Sequence, residues 1–319
     1  MTPTRQGSIR LFQFSGIEVF LHWSWFLIAV FMIQARAREY SSILWNILEY
    51  MALFGIVLLH EFGHALACRQ VGGQADQIVL WPLGGVAYVA PPPRPGATLW
   101  SIAAGPLVNV ALFPLFTAAM FLAGSWGWAV TMPNLHGFLE GIWLINLILL
   151  IFNLLPVYPL DGGQILQSLL WFVLGRPRSL MIASMVGILG VVGLVALALY
   201  QRSVWIGIMA VFILMNCWQG LQHARVLARL AKLPRRSGMR CPECGQPPLV
   251  GGYWQCEQCR QQFDLFETRG VCPFCQARFS ATRCPECGKF NAVESWIVSP
   301  PAVPGSYVSR EGPPATGRF

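Results

Sequence analysis

Long apolar stretches with almost no charge occupy most of the chain up to Gln222, and they leave few folds open. A helix that crosses a bilayer needs about 20 mostly apolar residues. Six stretches come close to or exceed that: Ile17–Gln34, Ser42–Cys68, Thr98–Ala123, Gly137–Tyr158, Leu180–Tyr200 and Val204–Gln222. Charged residues make up 11% of the chain, against about 25% in soluble domains, which argues against a water-soluble enzyme. A hydrophobic content of 55% excludes disorder for most of the chain. The expectation is an all-α polytopic membrane protein with about six transmembrane helices.

Two segments do not fit that pattern. Gly72–Pro93 is too short and too interrupted to span, and its runs Gln77–Trp81 and Val86–Val89, split by Pro82-Leu83-Gly84-Gly85, predict a small membrane-associated β-hairpin. Gly162–Leu174 is apolar but short, and reads as a continuation of the fourth span after a break. The net charge of +8 is concentrated: six of the 22 basic residues lie between Arg225 and Arg240, directly after the last span. The positive-inside rule accounts for that run without a nucleic-acid partner. It places both termini in the cytoplasm, in agreement with Arg5, Arg10, Arg69, Arg94, Arg176 and Arg178; Arg36, Arg38 and Arg202 count against it. The expected location is the cell membrane, as a multi-pass protein.

The second span carries His60-Glu61-Phe62-Gly63-His64. Residues four apart share a helix face, so both imidazoles can reach one metal, and the Glu beside the first can act as general base on a metal-activated water. Ionisable groups are costly in lipid unless they have a use. Catalytic zinc takes three protein ligands and keeps one position open. The candidate third ligand is Asp161, one of only three Asp, in the Pro- and Gly-rich break Asn153-Leu-Leu-Pro-Val-Tyr-Pro-Leu-Asp161-Gly-Gly163. With the termini inside, His60–His64, Asp161 and Gly105-Pro106-Leu107-Val108-Asn109 all fall toward the cytoplasmic ends of their spans. Cys68 reads as a small buried side chain, and Asn109 and Asn146 as helix-to-helix hydrogen bonds.

These three motifs and the order of spans resemble the site-2 proteases, zinc metalloproteases that cut within the membrane, and in particular the sporulation-type branch without a PDZ domain. The resemblance implies that His60, His64 and Asp161 bind a catalytic zinc, that Glu61 is the catalytic base and that Asn153 helps hold substrate. It also implies that the Gln77–Val89 hairpin, with Gly84 and Gly85 at its turn, pairs with an unwound substrate strand. Substrates would be membrane-anchored proteins. Many members of that branch end in paired CBS modules, which this chain replaces with cysteines.

Eight of the ten cysteines form four CxxC pairs: Cys241/Cys244, Cys256/Cys259, Cys272/Cys275 and Cys284/Cys287. Two such turns complete a four-thiolate site, so two structural zinc ions in tandem ribbons are expected, paired sequentially, with an interleaved pairing left open. A cytoplasmic location disfavours disulfides. The balance of four Arg against five acidic residues in Cys241–Cys287 lacks the basic stripe of a nucleic-acid binder, and protein docking, of substrate or of a cytoplasmic regulator, is the preferred use. The expected organisation is a membrane domain over 1–230, a basic linker over 231–240, zinc ribbons over 241–290 and a disordered Pro/Gly-rich tail over 291–319. A catalytically idle scaffold and a metal transporter are the competing readings; the complete ligand set argues against the first. Three spans without any charge argue against the second.

Overall fold

The computed structural model describes residues 7–35, 39–81 and 84–297. It divides into two compact units, Met1–Lys232 and Leu233–Phe319. Arg36, Arg38, Pro82, Leu83 and the Ser299–Phe319 tail, all used in the sequence reading, lie outside the described residues.

The first unit is mostly helical but opens with a sheet. Strands β1 (Ser8–Phe14) and β2 (Ile17–His22) form a hairpin whose two-residue turn, Ser15-Gly16, has positive φ at both positions, the geometry that matches strand twist. Helices α1 (Ser24–Ala35) and α2 (Ile43–Gln70) follow, then β3 (Gln74–Trp81) and β4 (Gly84–Ala90). β2 pairs parallel to β3, and the four strands make one sheet in the order β1-β2-β3-β4. A parallel pair needs a long crossover, and here α1 and α2 provide it. The Arg69 guanidinium at the end of α2 donates to the carbonyls of Ser15, Gly16 and Ala75, which ties the hairpin turn to the crossover.

This corrects the sequence reading in two places. The hairpin expected over Gln77–Val89 is half of a four-stranded sheet, so the domain is not all-α. The first expected span, Ile17–Gln34, is a strand followed by a helix of 12 residues, only about 18 Å long against a hydrocarbon core of about 30 Å. Ile17, Val19, Phe20 and Leu21 are buried, and the consecutive apolar residues Val19–Leu21 lack the alternation that would separate a strand from the start of a helix.

Helices α3 (Pro95–Ser125), the short α4 (Trp128–Thr131), α5 (Pro133–Leu154), α6 (Asp161–Leu174), α7 (Arg176–Gln201) and α8 (Val204–Leu230) complete the unit. Among the described residues five helices, α2, α3, α5, α7 and α8, are long and apolar enough to cross a membrane. Their outward faces carry large apolar side chains such as Phe121, Leu189, Leu199 and Val204, whereas Ala183, Ser184, Gly187, Cys217, Gly220 and Ala224 lie inside. Small residues let helix backbones approach where burial from lipid offers no hydrophobic gain.

The second unit contains two two-stranded sheets, β5 (Trp254–Gln255) with β6 (Gln262–Phe263) and β7 (Ala281–Arg283) with β8 (Phe290–Ala292). Its cysteines are grouped as Cys241, Cys244, Cys284 and Cys287, and as Cys256, Cys259, Cys272 and Cys275. The pairing is therefore nested, and the sequential pairing expected from the spacing is corrected. The cause lies between the knuckles. Asp264 accepts from the backbone N–H of Phe266 and Glu267 and, through its other oxygen, from Gly251 and Arg236. That turn sends the third knuckle back onto the second. Trp254 packs edge-on against Phe266 and donates to Thr282 Oγ1 at 3.0 Å, which folds the β7–β8 hairpin back so that the fourth knuckle meets the first.

The expected linker and tail boundaries shift as well. Arg236 N–H donates to Pro248 O and Arg240 N–H to Trp296 O, and Trp296 is buried in the core with Cys241, Phe266 and Cys284. Residues 235–240 and 291–297 thus belong to the folded module. The nesting sets a test by zinc analysis of the purified full chain: Cys241→Ser with Cys284→Ser removes one zinc, whereas Cys241→Ser with Cys272→Ser removes two. Loss of two zinc ions in both double variants would restore sequential pairing, and the reverse pattern would mean an interleaved one.

Candidate metal centres and the intramembrane cavity

The site in the first unit is assembled from α2, α3, α6 and the sheet. α2 presents His60 and His64 one turn apart, both buried. After Leu154 the chain leaves the helix and re-enters one at Asp161, in the first turn of α6. Gly162 and Gly163 permit that re-entry, since a Cβ on them would lie 2.3 Å from Leu154 O and 2.4 Å from Tyr158 N. Asp161 Oδ2 then stands 3.0 Å from His60 Nε2 and 3.4 Å from His64 Nε2, with the two nitrogens 3.1 Å apart.

Those separations suit a metal ion. Nitrogen and oxygen ligands at zinc distances span a tetrahedral edge of about 3.3 Å. A Cβ built on Gly105 of α3 would come within 2.2 Å of His64 Nε2 and 2.8 Å of His60 Nε2, so the space these nitrogens face is kept clear by the absence of one side chain. In the second unit the nearest thiol contacts are 3.8 Å in the outer group and 3.5 and 3.6 Å in the inner one, close to the roughly 3.8 Å edge of a four-thiolate zinc. Burial pushes the Cys244 thiol up to about 12, whereas the backbone N–H of Cys259 brings Cys256 down to about 7. Filling either group with metal therefore releases protons, and affinity falls as pH falls.

Hydrogen bonds fix both imidazoles. His60 Nδ1 is 2.6 Å from Asn109 Oδ1, and His64 Nδ1 is 2.9 Å from the Ser101 carbonyl. With Nδ1–H donating in each ring, both Nε2 lone pairs are left for a metal. Asn109 is held in turn by Asn146: Asn109 Nδ2 donates to Asn146 Oδ1 at 2.9 Å, and Asn146 Nδ2 donates to the Asn109 carbonyl at 3.0 Å. The two asparagines do bridge helices, but their orientation of His60 was missed by sequence reasoning. The only available signal was a paired Asn at the depth of the His motif. Pro106 lies inside α3 and supplies no N–H to the Ile102 carbonyl one turn back, next to Ser101.

Glu61 lies beneath β4. Its Oε2 accepts from the Ala87 N–H at 2.8 Å, and a Cβ on Gly85 would meet its carboxylate at 2.4 Å. β4 is an edge strand, so this N–H sits on the unpaired side of the sheet. A cavity of about 880 Å³ opens beside His60, His64 and Asp161 and is lined also by Glu61, Gly85, Ala87 and Asn153. Gly84 pairs with Trp81 at the start of β4. Cys68 is fully buried against Gln74 O and takes no part in the metal cluster.

The chain matches the model of Peptidase family M50 over residues 49–134 and 128–197. It is 35% identical to a zinc metalloprotease of Methanocaldococcus jannaschii over 184 residues, covering 56% of this chain and 50% of that protein. It is 36% identical to stage IV sporulation protein FB of Bacillus subtilis over 118 residues, covering 36% of this chain and 38% of that one. Among solved structures it resembles the site-2 protease from M. jannaschii, with a TM-score of 0.50 and 28% identity over 67% of this chain and 95% of that one. The chain therefore spans about half the length, or less, of these curated relatives. An apolar helical domain that brings together a His–His–carboxylate cluster with a Glu beside it has the donor set a metallopeptidase uses. The chain is thus similar to the M50 peptidases over residues 49–197 and to a solved site-2 protease.

Proposed function

We propose that this chain is an intramembrane zinc metalloendopeptidase that hydrolyses peptide bonds of membrane-anchored proteins within or near the bilayer. The observation that carries the reading is the meeting of His60, His64 and Asp161 within 3.0–3.4 Å, beside Glu61, in a cavity among apolar helices. In this reading those three residues hold the catalytic zinc, which when bound polarises a water and the scissile carbonyl. Glu61 takes the proton of the attacking water and delivers it to the leaving amine. The Ala87 N–H fixes one carboxylate oxygen and leaves the other to face the water. Asn153 donates to the substrate beside the metal. The edge of β4 from Gly84 and Gly85 onward pairs with an unwound substrate segment, replacing the hydrogen bonds its helix has lost.

Both termini are assigned to the cytoplasm of a cell-membrane protein. Support comes from the Arg225–Arg240 run and from the parallel β2–β3 pair: five long helices alone would separate the termini, but strands of one sheet share a side, so in this reading the connection that begins with α1 crosses as well. The two four-cysteine groups hold structural zinc and offer a cytoplasmic docking module for substrate or regulator.

The test is metal removal from the purified full chain in detergent or vesicles, with a single-span protein as substrate. Chelation is expected to abolish cleavage, and stoichiometric zinc to restore it. Undiminished cleavage by protein shown to lack zinc would overturn the proposal.

A further inference from the structure

An extended peptide has two edges of backbone N–H and C=O groups, and in a cavity poor in water both need partners. β4 can satisfy one edge only. The second edge must meet whatever polar groups the helical walls of the cavity present. Besides the cluster residues His60, His64 and Asp161, the polar side chains on those walls are Ser24 on α1, whose hydroxyl is engaged with His22, Glu61 on α2, which faces β4, and three amides, Asn153 on α5, Gln164 on α6 and Asn216 on α8.

Gln164 lies three residues after Asp161, hence on the same face of α6 as that carboxylate. Its Nε2 donates to the Pro159 carbonyl at 2.9 Å. Asn216 interrupts the apolar run Val211–Leu214 to Trp218 on α8, where a polar side chain is costly without a use. Its Nδ2 donates to the Phe212 carbonyl of its own helix at 2.8 Å. In each case the amide is anchored through its nitrogen. Among the described residues nothing donates to Gln164 Oε1 or Asn216 Oδ1, and both residues border the cavity. Two anchored acceptors suit the N–H groups of a strand whose other edge is paired.

We infer that Gln164 and Asn216 are positioning residues that accept backbone N–H groups from the second edge of the extended substrate, so that the substrate is held between the β4 edge and a row of side-chain amides. This deepens the protease reading and rests on it. It also carries a consequence for specificity: recognition through backbone groups favours any segment that unwinds easily over a particular side-chain sequence.

The test uses the purified, zinc-loaded full chain and a single-span peptide substrate. A companion series replaces individual backbone N–H groups near the scissile bond by an ester oxygen. Asn216→Leu and Gln164→Met each lower kcat/KM on the all-amide substrate by roughly 5- to 30-fold, the loss expected for one buried hydrogen bond. Zinc content stays unchanged and reports an intact fold. One ester position slows the unsubstituted enzyme by a similar factor and costs nothing further in Asn216→Leu; a different position does the same for Gln164→Met. Variants that cleave the all-amide substrate at the original rate would overturn the inference, as would ester and side-chain losses that multiply at every position. Failure of the unsubstituted enzyme to cleave any substrate would instead sink the protease reading, and this inference with it.

Discussion

Glu61→Gln leaves zinc bound at all three centres and lowers cleavage by about 10²- to 10⁴-fold, the usual contribution of a general base. Glu61 sits beside the ligand cluster but is not one of its members, so the substitution alters no ligand. The amide keeps the acceptor that Ala87 N–H uses at 2.8 Å, and the β4 edge stays in place. What is lost is the capacity to take a proton. Zinc analysis together with a rate measurement on one single-span substrate checks both halves. Loss of zinc along with activity would make Glu61 a structural support, and an unchanged rate would remove it from the mechanism.

Gly105→Ala has an effect as large through a different route. The added Cβ falls 2.2 Å from His64 Nε2 and 2.8 Å from His60 Nε2, in the space the ion needs. Relief by moving α3 away from α2 is blocked by their packing. A Cβ on Gly63 would already lie 2.7 Å from the Ala104 carbonyl, which places the two backbones in contact. Separation would also break the bonds from His60 to Asn109 and from His64 to Ser101. The expected result is loss of one zinc per chain, the two cysteine centres retained, and no cleavage. Full zinc content in Gly105→Ala would show that the cradle is looser than these distances imply. Gly55, with nothing within 4 Å of its built Cβ, provides the control: Gly55→Ala leaves zinc and rate unchanged.

The grouping of His60, His64 and Asp161 was legible because its chemistry is dense. Two His at helical spacing around a Glu, in a span with almost no other charge, leave few alternatives, and a rare Asp at a Pro/Gly break supplies the third position. Other features are set by contacts that sequence separation conceals. β2 was taken for the start of a span because the consecutive apolar residues Val19–Leu21 lack the alternation that marks a strand. Its partner β3 lies more than fifty residues away. Asn109 looked like any polar residue that bridges two helices, and only its 2.6 Å approach to His60 reveals a second task. The cysteine pairing was degenerate because four equivalent CxxC knuckles can be grouped several ways. Asp264 and Trp254 decide among them, and neither residue is distinctive in the sequence.

In the proposed function, hydrolysis takes place within the membrane at the His60–His64–Asp161 centre. It is tested most directly by reconstituting the full chain with a single-span protein in vesicles and locating the cut by mass spectrometry, beside Glu61→Gln in parallel vesicles. The expected fragments have new ends that fall inside or at the border of the substrate's span, and are present with the unsubstituted protein and absent with Glu61→Gln. Fragments that appear equally in both preparations, or cuts confined to the water-exposed domain of the substrate, would contradict it.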